Sequence, residues 1–506
     1  MQTSTRVVLN TVVLYIKVVL SLVLALISVP LVLNALGASD YGLYNLVAGV
    51  VAMLSFLNNS MTVSSQRFMS VSMGEGDESK INSIYNTSFL LHFCLAVLIV
   101  VAFEIIGIFA VDKLNILPER MWCAKIIYQL LILSTFANII AVPFDALTNA
   151  KEDMIPFSVI ELFNSLLMLA IALSITCVHG DRLIYYGACV SLIAVITLLL
   201  KYGWCRYAYK NLKINIRAHK DKLKVREMLG FTSWNLFAGL AMIGRNQGVA
   251  IIINLFLGTV VNAAYGIANQ VNGALSHFSA TFQKAINPQL MKSEGMNDRE
   301  RLLRISFISS KFSVLAIAFF AVPLIMEMEE VLIIWLKEGV PPFTMRLTQF
   351  ILLLSLTYQY SVGIMSAIQA AGKIRNYQIL MGTILLTNIP IAYLILKYGF
   401  PVYYTAIAFV ILEVLSLCVR LLMANKLTGM NITDYCRNVL LPTLIIILVP
   451  MSLSLVPHLL MPRSFLRLVV VCLLYCPTFA ILMYRYAFDE NQRLQISSKV
   501  KHLFNR

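Results

Sequence analysis

Runs of some twenty apolar residues recur from the first fifty residues of this chain to the last fifty, with no long polar segment between them. A helix needs about 20 such residues to cross a hydrocarbon core, so the repetition itself predicts an all-α polytopic membrane protein. Only 13% of the 506 residues are charged and 59% are hydrophobic; an ordinary soluble domain is about one quarter charged. The runs are continuous and do not alternate at every second residue, which excludes an outer-membrane barrel. The first, "VVLNTVVLYIKVVLSLVLALISVPLVL", is too long for a signal-peptide core and no small-x-small cleavage site follows it, so it reads as a retained span. The nine cysteines are scattered without metal-ligand spacing and predict neither a metal site nor a disulfide framework.

The runs count to fourteen spans, centred near Ser21, Ser55, Val97, Ser134, Leu167, Leu192, Arg245, Leu275, Leu315, Ser361, Leu386, Leu412, Leu448 and Leu474. With the N-terminus cytoplasmic, about 28 of the 40 basic residues fall on the cytoplasmic side. That asymmetry accounts for the formal charge of +15 without nucleic acid. The largest basic cluster, Lys201 to Glu227, is either a lipid anchor or a landing surface for a phosphorylated headgroup.

This linker divides two halves that resemble each other. Leu36-Gly37 matches Leu257-Gly258, Tyr41-Gly42 and Gly49 match Tyr265-Gly266 and Gly273, and "NAK" ending at Lys151 matches "AGK" ending at Lys373. Three matches at nearly one offset predict an internal repeat of six spans. The copies then insert in one orientation, related by a pseudo-two-fold axis along the membrane normal, with a central site between two six-helix lobes. The expected organisation is 1–210 for the first lobe, 211–227 for the basic linker, 228–426 for the second lobe, and 427–506 for two further spans and a tail.

Spans two and eight carry polar stripes. Asn262, Tyr265, Asn269, Asn272, Ser276, Ser279 and Gln283 recur at steps of three and four, hence on one helix face. Asn45, Ala48, Ala52, Ser55, Asn59, Thr62 and Gln66 do the same on span two, with Asn45 matching Asn269 and Asn59 matching Gln283. Such stripes serve either packing against neighbouring helices or a water-filled cavity, and the matched pair favours the cavity. Among ionisable residues, Arg245 lies deepest, flanked by Asn246 and Gln247 on span seven; Lys17, Arg67 and Lys311 lie nearer the ends of their spans. A charge at such depth faces a partner or a cavity. Asp145, Glu161 and Glu413 are either its structural counterparts or sites for a coupling proton. No phosphate-binding loop, zinc cluster, acidic metal pair or clustered histidine set points to an enzyme, and no cofactor is implied.

Beyond these readings, "LGASDYGLYNL" followed by "SSQRFMSVSMGEGD" resembles bacterial O-antigen and capsule repeat-unit flippases. "VPFDALTNAKEDMIPFSVIE" resembles that family's proline-aromatic turn and alanine–basic–glutamate motif, although Lys151 stands where histidine is expected. "NQGVAIIINLFLGTVVNAAYGIANQVNGALSHFSATFQKAINPQLMKS" is the most specific match. The family belongs to the multidrug/oligosaccharidyl-lipid/polysaccharide exporter superfamily. The resemblance implies a cavity lined by spans one, two, seven and eight, opening alternately to either side. It also implies the substrate, an oligosaccharide on undecaprenyl diphosphate. Membrane lipids, glycan assembly proteins and H+ or Na+ as coupling ion are the expected partners. Arg245, with Lys17, Arg67 and Lys311 as weaker contributors, would hold the diphosphate. A cation-coupled drug exporter, a glycan polymerase or glycosyltransferase, and a non-transporting scaffold are the rivals. The twenty-residue loop Glu327 to Leu347 is short for a polymerase.

Overall fold

A backbone in lipid has no water to bond, so its amides and carbonyls must be satisfied within helices. The computed structural model describes residues 3–52, 55–110, 118–212, 214–215, 222–336, 340–488 and Arg493, and no strand occurs among them. The helices are α1 (Thr3–Ala52), α2 (Ser55–Glu75), α3 (Glu78–Ala110), α4 (Met121–Ala150), α5 (Met154–Ser174), α6 (Arg182–Ala208) and α7 (Lys222–Gly295). They continue as α8 (Arg299–Met326), α9 (Met328–Leu336), α10 (Thr344–Ala371), α11 (Arg375–Lys397), α12 (Tyr403–Thr428), α13 (Ile432–Tyr435), α14 (Leu441–Leu460) and α15 (Phe465–Tyr486). The side chains of Asn45, Ser55 and Asn59 lie outside the described residues, as do 213 and 216–221 of the basic linker.

Twelve helical stretches are long and apolar enough to cross a membrane. Two features raise this to the fourteen spans expected. At 1.5 Å per residue, the 74 residues of α7 would reach about 110 Å if straight, several times the thickness of a bilayer core. The helix is instead broken at Gly258 (φ 78°, ψ −176°) and contains two spans. The 50-residue α1 is broken in the same way at Gly37 (φ 78°, ψ 164°), and the apolar run of the second expected span begins beyond that break. A positive φ with extended ψ is open almost only to glycine. The interval from Gly37 to Gly258 recurs between helix starts: from Glu78 of α3 to Arg299 of α8, from Met154 of α5 to Arg375 of α11, and from Arg182 of α6 to Tyr403 of α12. The repeat is therefore present in the backbone as well as in the sequence.

Two compact units result, the first comprising Met1–Gly239 with Met291–Asn297 and the second Leu240–Leu290 with Asp298–Arg506. In the first, α4 is central: α2, α3 and α6 pack on it, while α1 packs on α5. In the second, α10 takes the same place between α8 and α12, and α11 packs on α12. These central helices have 72% and 67% of their most apolar stretches buried, more than any other span. Around α4 the core is Ile84, Tyr85, Ile127, Leu131, Phe144 and Leu147; around α10 it is Leu347, Ile351, Val402, Ala406 and Phe409 with Val249 and Ile253. The final pair, α14 and α15, packs together and against α8. There Glu327 accepts hydrogen bonds from Arg467 Nε (3.1 Å) and Nη2 (2.8 Å) and from His458 Nδ1 (2.8 Å).

Candidate functional site

The first half of α7 carries Arg245 in the second unit. Its side chain is half-buried, and Asn246, its neighbour in the chain, turns its amide oxygen to accept from Arg245 Nε (3.1 Å) and Nη2 (2.9 Å). No carboxylate among the described residues pairs with it. Glu161 and Glu413, the acidic partners conceivable from sequence, are held elsewhere by Lys17 and Arg420. A guanidinium has five N–H donors in a planar fork, so part of that fork stays available to an anion. Tyr265, beyond the Gly258 break, and Tyr358 of α10 lie close enough to interact with Arg245 electrostatically. Gln247 is exposed.

The stripe beyond the break divides in two. Asn269, Asn272 and Ser276 are half-buried and bond only within their own helix, Asn269 Nδ2 to Tyr265 O (2.8 Å) and Ser276 Oγ to Asn272 Oδ1 (3.4 Å). The structure differs from the cavity-lining expectation at Ser279 and Gln283, which are buried and used in packing. Ser279 Oγ donates to Gln359 Oε1 of α10 (2.5 Å), and Gln283 Nε2 donates to Ser309 and Ser313 of α8 (2.7 Å each). Polar side chains of α8 and α10 satisfy this end of the stripe where water was expected.

In the first unit the predicted cations are each engaged. Lys17 of α1 forms an ion pair with Glu161 of α5. Asp145 of α4 accepts from Lys201 Nζ of α6 (2.7 Å), whose ammonium also lies 5.3 Å from the Phe157 ring centre. Arg67 is stacked on Phe68 (4.8 Å) and Phe231 (4.9 Å). Gln66 is buried rather than facing open space, and its Nε2 bonds to no described residue. In the second unit, Lys311 is half-buried and engaged, and Glu413 pairs on its own helix with Arg420, which also donates to Ser361 Oγ (3.0 Å).

Sequence reasoning passed over several of these groups. Lys201 stood at the start of a basic run and read as part of a surface, yet it is buried. Arg420 stands two helical turns after Glu413, a spacing that could have revealed the pair. Glu152 went unassigned; it is buried with a left-handed backbone (φ 59°), pairs with Lys292, and its carbonyl accepts from Asn10 Nδ2 (2.9 Å).

Such an arrangement, two repeated helical units with a few deep charges and polar stripes, defines a multi-pass membrane protein with a transporter fold. The chain belongs to the polysaccharide biosynthesis protein family, whose model matches residues 7–294. No curated protein matches it in sequence. Among solved structures it is similar in fold to a multidrug resistance MATE family transporter of the MOP superfamily in an outward-facing conformation. That pair shares 14% identity at a TM-score of 0.72, over 85% of this chain and 96% of that one. A MOP superfamily transporter from Pyrococcus furiosus, with a reverse polarity of its binding pocket suggesting a different function, gives 13%, 0.73, 85% and 96%. A MATE protein in complex with MaL6 gives 14%, 0.73, 85% and 97%.

Proposed function

We propose that this protein flips an undecaprenyl-diphosphate-linked oligosaccharide repeat unit from the cytoplasmic to the periplasmic leaflet by alternating access, supplying surface polysaccharide biosynthesis such as that of O-antigen. The supporting observation is Arg245: a cation at mid-span depth, held in orientation by an amide and paired with no described carboxylate. A fixed guanidinium fork suits diphosphate because it donates paired, charge-assisted hydrogen bonds. Asn246, Gln247, Asn269, Asn272 and Ser276 offer the glycan amides and hydroxyls that bind weakly enough to release it. The Lys17–Glu161 and Lys201–Asp145 pairs are the sites where H+ or Na+ would couple, since each holds a carboxylate beside a cation that can give it up. In this reading the protein lies in the bacterial inner membrane with both termini cytoplasmic and works beside glycan assembly proteins. The lobes run 1–210 and 228–426, joined by linker 211–227.

The MATE neighbours share the fold and point to drug export as the competing reading. The reverse pocket polarity stated for the Pyrococcus furiosus protein marks charge as a feature that separates functions on this fold. Here the unpaired deep charge is positive, which favours an anionic substrate. The test is transfer of a fluorescent polyprenyl-diphosphate glycan across reconstituted vesicles. Arg245→Ala should slow it by more than about tenfold, the worth of one charge-assisted contact, and Arg245→Lys should recover only part. Full activity in both variants at normal protein levels would refute the assignment. Deletion in the cell should trap the glycolipid in the cytoplasmic leaflet.

A further inference from the structure

A cleft of about 500 Å³ opens in the first unit where the start of α3, the turn after α4 and the chain leaving α6 converge. It is lined by Glu78 and Asn82 of α3, Lys151 of the turn, and Tyr207, Tyr209 and Lys210 at the end of α6. The ammonium groups of Lys151 and Lys210 have no hydrogen bond or ion pair with any described residue. Asn82 accepts from Asn86 Nδ2 (3.0 Å), which leaves its own amide N–H groups as donors. The walls are braced: Tyr209 donates to Asp153 Oδ2 (3.0 Å), the Tyr207 ring lies 6.0 Å from that of Trp204, and Asn215 N donates to Asn86 Oδ1 (2.6 Å). Tyr207 is 71% exposed and presents an aromatic face at the rim.

The internal repeat supplies a control. In the register that pairs Glu78 with Arg299, Asn82 falls on Leu303. The segment that follows α12 is packed inward, with Met430 and Tyr435 buried and Tyr435 against the Phe307 ring. The second unit keeps a lysine, Lys373, where the first has Lys151, but it places Leu303 and the buried Met430 where the first has Asn82 and Tyr209. Simple anchoring to anionic lipid would want lysines on a convex face, whereas Lys151 and Lys210 converge on a concavity.

We propose that this cleft binds a phosphate ester of a saccharide, the lysines and Asn82 taking the phosphate and Tyr207 the sugar face. The volume suits a small ligand, and ammonium with amide donors suits phosphate oxygens. Resting on the sidedness proposed above, the cleft faces the cytoplasm, where it would receive either the headgroup of the lipid-linked substrate or a soluble sugar phosphate.

Purified full-length protein in phosphatidylcholine nanodiscs, which carry no net headgroup charge, is titrated with three probes: inorganic diphosphate, a nucleotide diphosphate sugar and a polyprenyl-diphosphate sugar. The combined Lys151→Gln and Lys210→Gln variant should bind about 100-fold more weakly, roughly tenfold for each lost charged contact. Asn82→Leu, which copies the second unit, should weaken binding as well. Glu78→Gln should tighten it, because it removes the carboxylate of the lining, while Lys397→Gln should change nothing. Failure of all three probes to bind the wild type, or unchanged binding by the lysine variant, overturns the proposal, as would weaker binding in Glu78→Gln. Preference for the polyprenyl probe assigns the lipid headgroup, and preference for the nucleotide sugar assigns a soluble ligand. Arg245→Ala should keep cleft binding, so loss of flipping there and loss of binding here report on separate claims.

Discussion

The two repeat units solve one structural problem, a charge inside an apolar helical body, in opposite ways. The first joins neighbouring helices with lysine–carboxylate pairs, Lys17–Glu161 between α1 and α5 and Lys201–Asp145 between α4 and α6. The second closes its pair on a single helix, Glu413 to Arg420 of α12, and buries it more deeply, with side chains 5% and 3% exposed against 25% and 23% for Glu161 and Lys17. A pair on one helix cannot be parted by sliding helices past each other, whereas a pair between helices can. The lysine–carboxylate pairs of the first unit are therefore ones that a conformational change could separate, whereas Glu413–Arg420 keeps a helix in register and Glu327–Arg467 ties the end of α8 to the last two helices.

Breaking the pairs tests this contrast and should give the largest effects. Arg420→Met leaves Glu413 charged and buried, which should cost about 3–5 kcal/mol and lower the melting temperature in detergent sharply. Lys17→Met should cost far less stability, because Glu161 keeps partial access to solvent, while changing transport more. If the two variants melt alike, the contrast between a register pair and a movable pair fails.

Next come the glycines where the chain has no tolerance. Gly74 and Gly295, at the ends of α2 and α7, touch each other within the first unit: a methyl on Gly295 would lie 1.9 Å from Val71 O, and one on Gly74 2.2 Å from Lys292 O. Gly295→Ala should destabilise by about 1–3 kcal/mol through forced separation of the backbones. Gly37 and Gly258 have open space around them, so alanine there meets only the penalty of a positive φ. Both should lose about 1–3 kcal/mol, and by similar amounts if the repeat is energetically as well as geometrically faithful. Thermal unfolding of the two single variants, side by side, measures that directly.

The repeat was legible because glycine and small residues mark backbone geometry, and geometry repeats even as side chains diverge. Leu36-Gly37 and Leu257-Gly258 mark the two breaks in the sequence itself. Counting apolar runs likewise placed span two, and periodicity brought out the polar stripe along it. What a stripe faces was not legible. Ser279 and Gln283 look the same in sequence whether they meet water or protein, and their partners Ser309, Ser313 and Gln359 are distant in the chain. Arg245 stood out because it is alone; Lys201 and Arg420 were hidden among basic residues near span ends, though both prove buried.

The smallest expected effect concerns the one polar contact whose repeat partner can be compared directly. In the repeat register, Ser309 and Ser313 of α8 correspond to Ser88 and His92 of α3. In the second unit they hold the Gln283 amide; in the first, Ser88 Oγ donates to Ser65 Oγ (2.8 Å), and His92 Nε2 is buried with no described partner. Gln283→Leu should cost about 1 kcal/mol, since it leaves two buried hydroxyls without their amide donor. Adding Ser309→Ala and Ser313→Ala should recover most of that loss, because removing both sides of a hydrogen bond is nearly neutral. Recovery would show that the lower stripe of α7 serves packing; continued loss in the triple variant would show that Gln283 contributes something its α8 partners do not, and would return it to the substrate path.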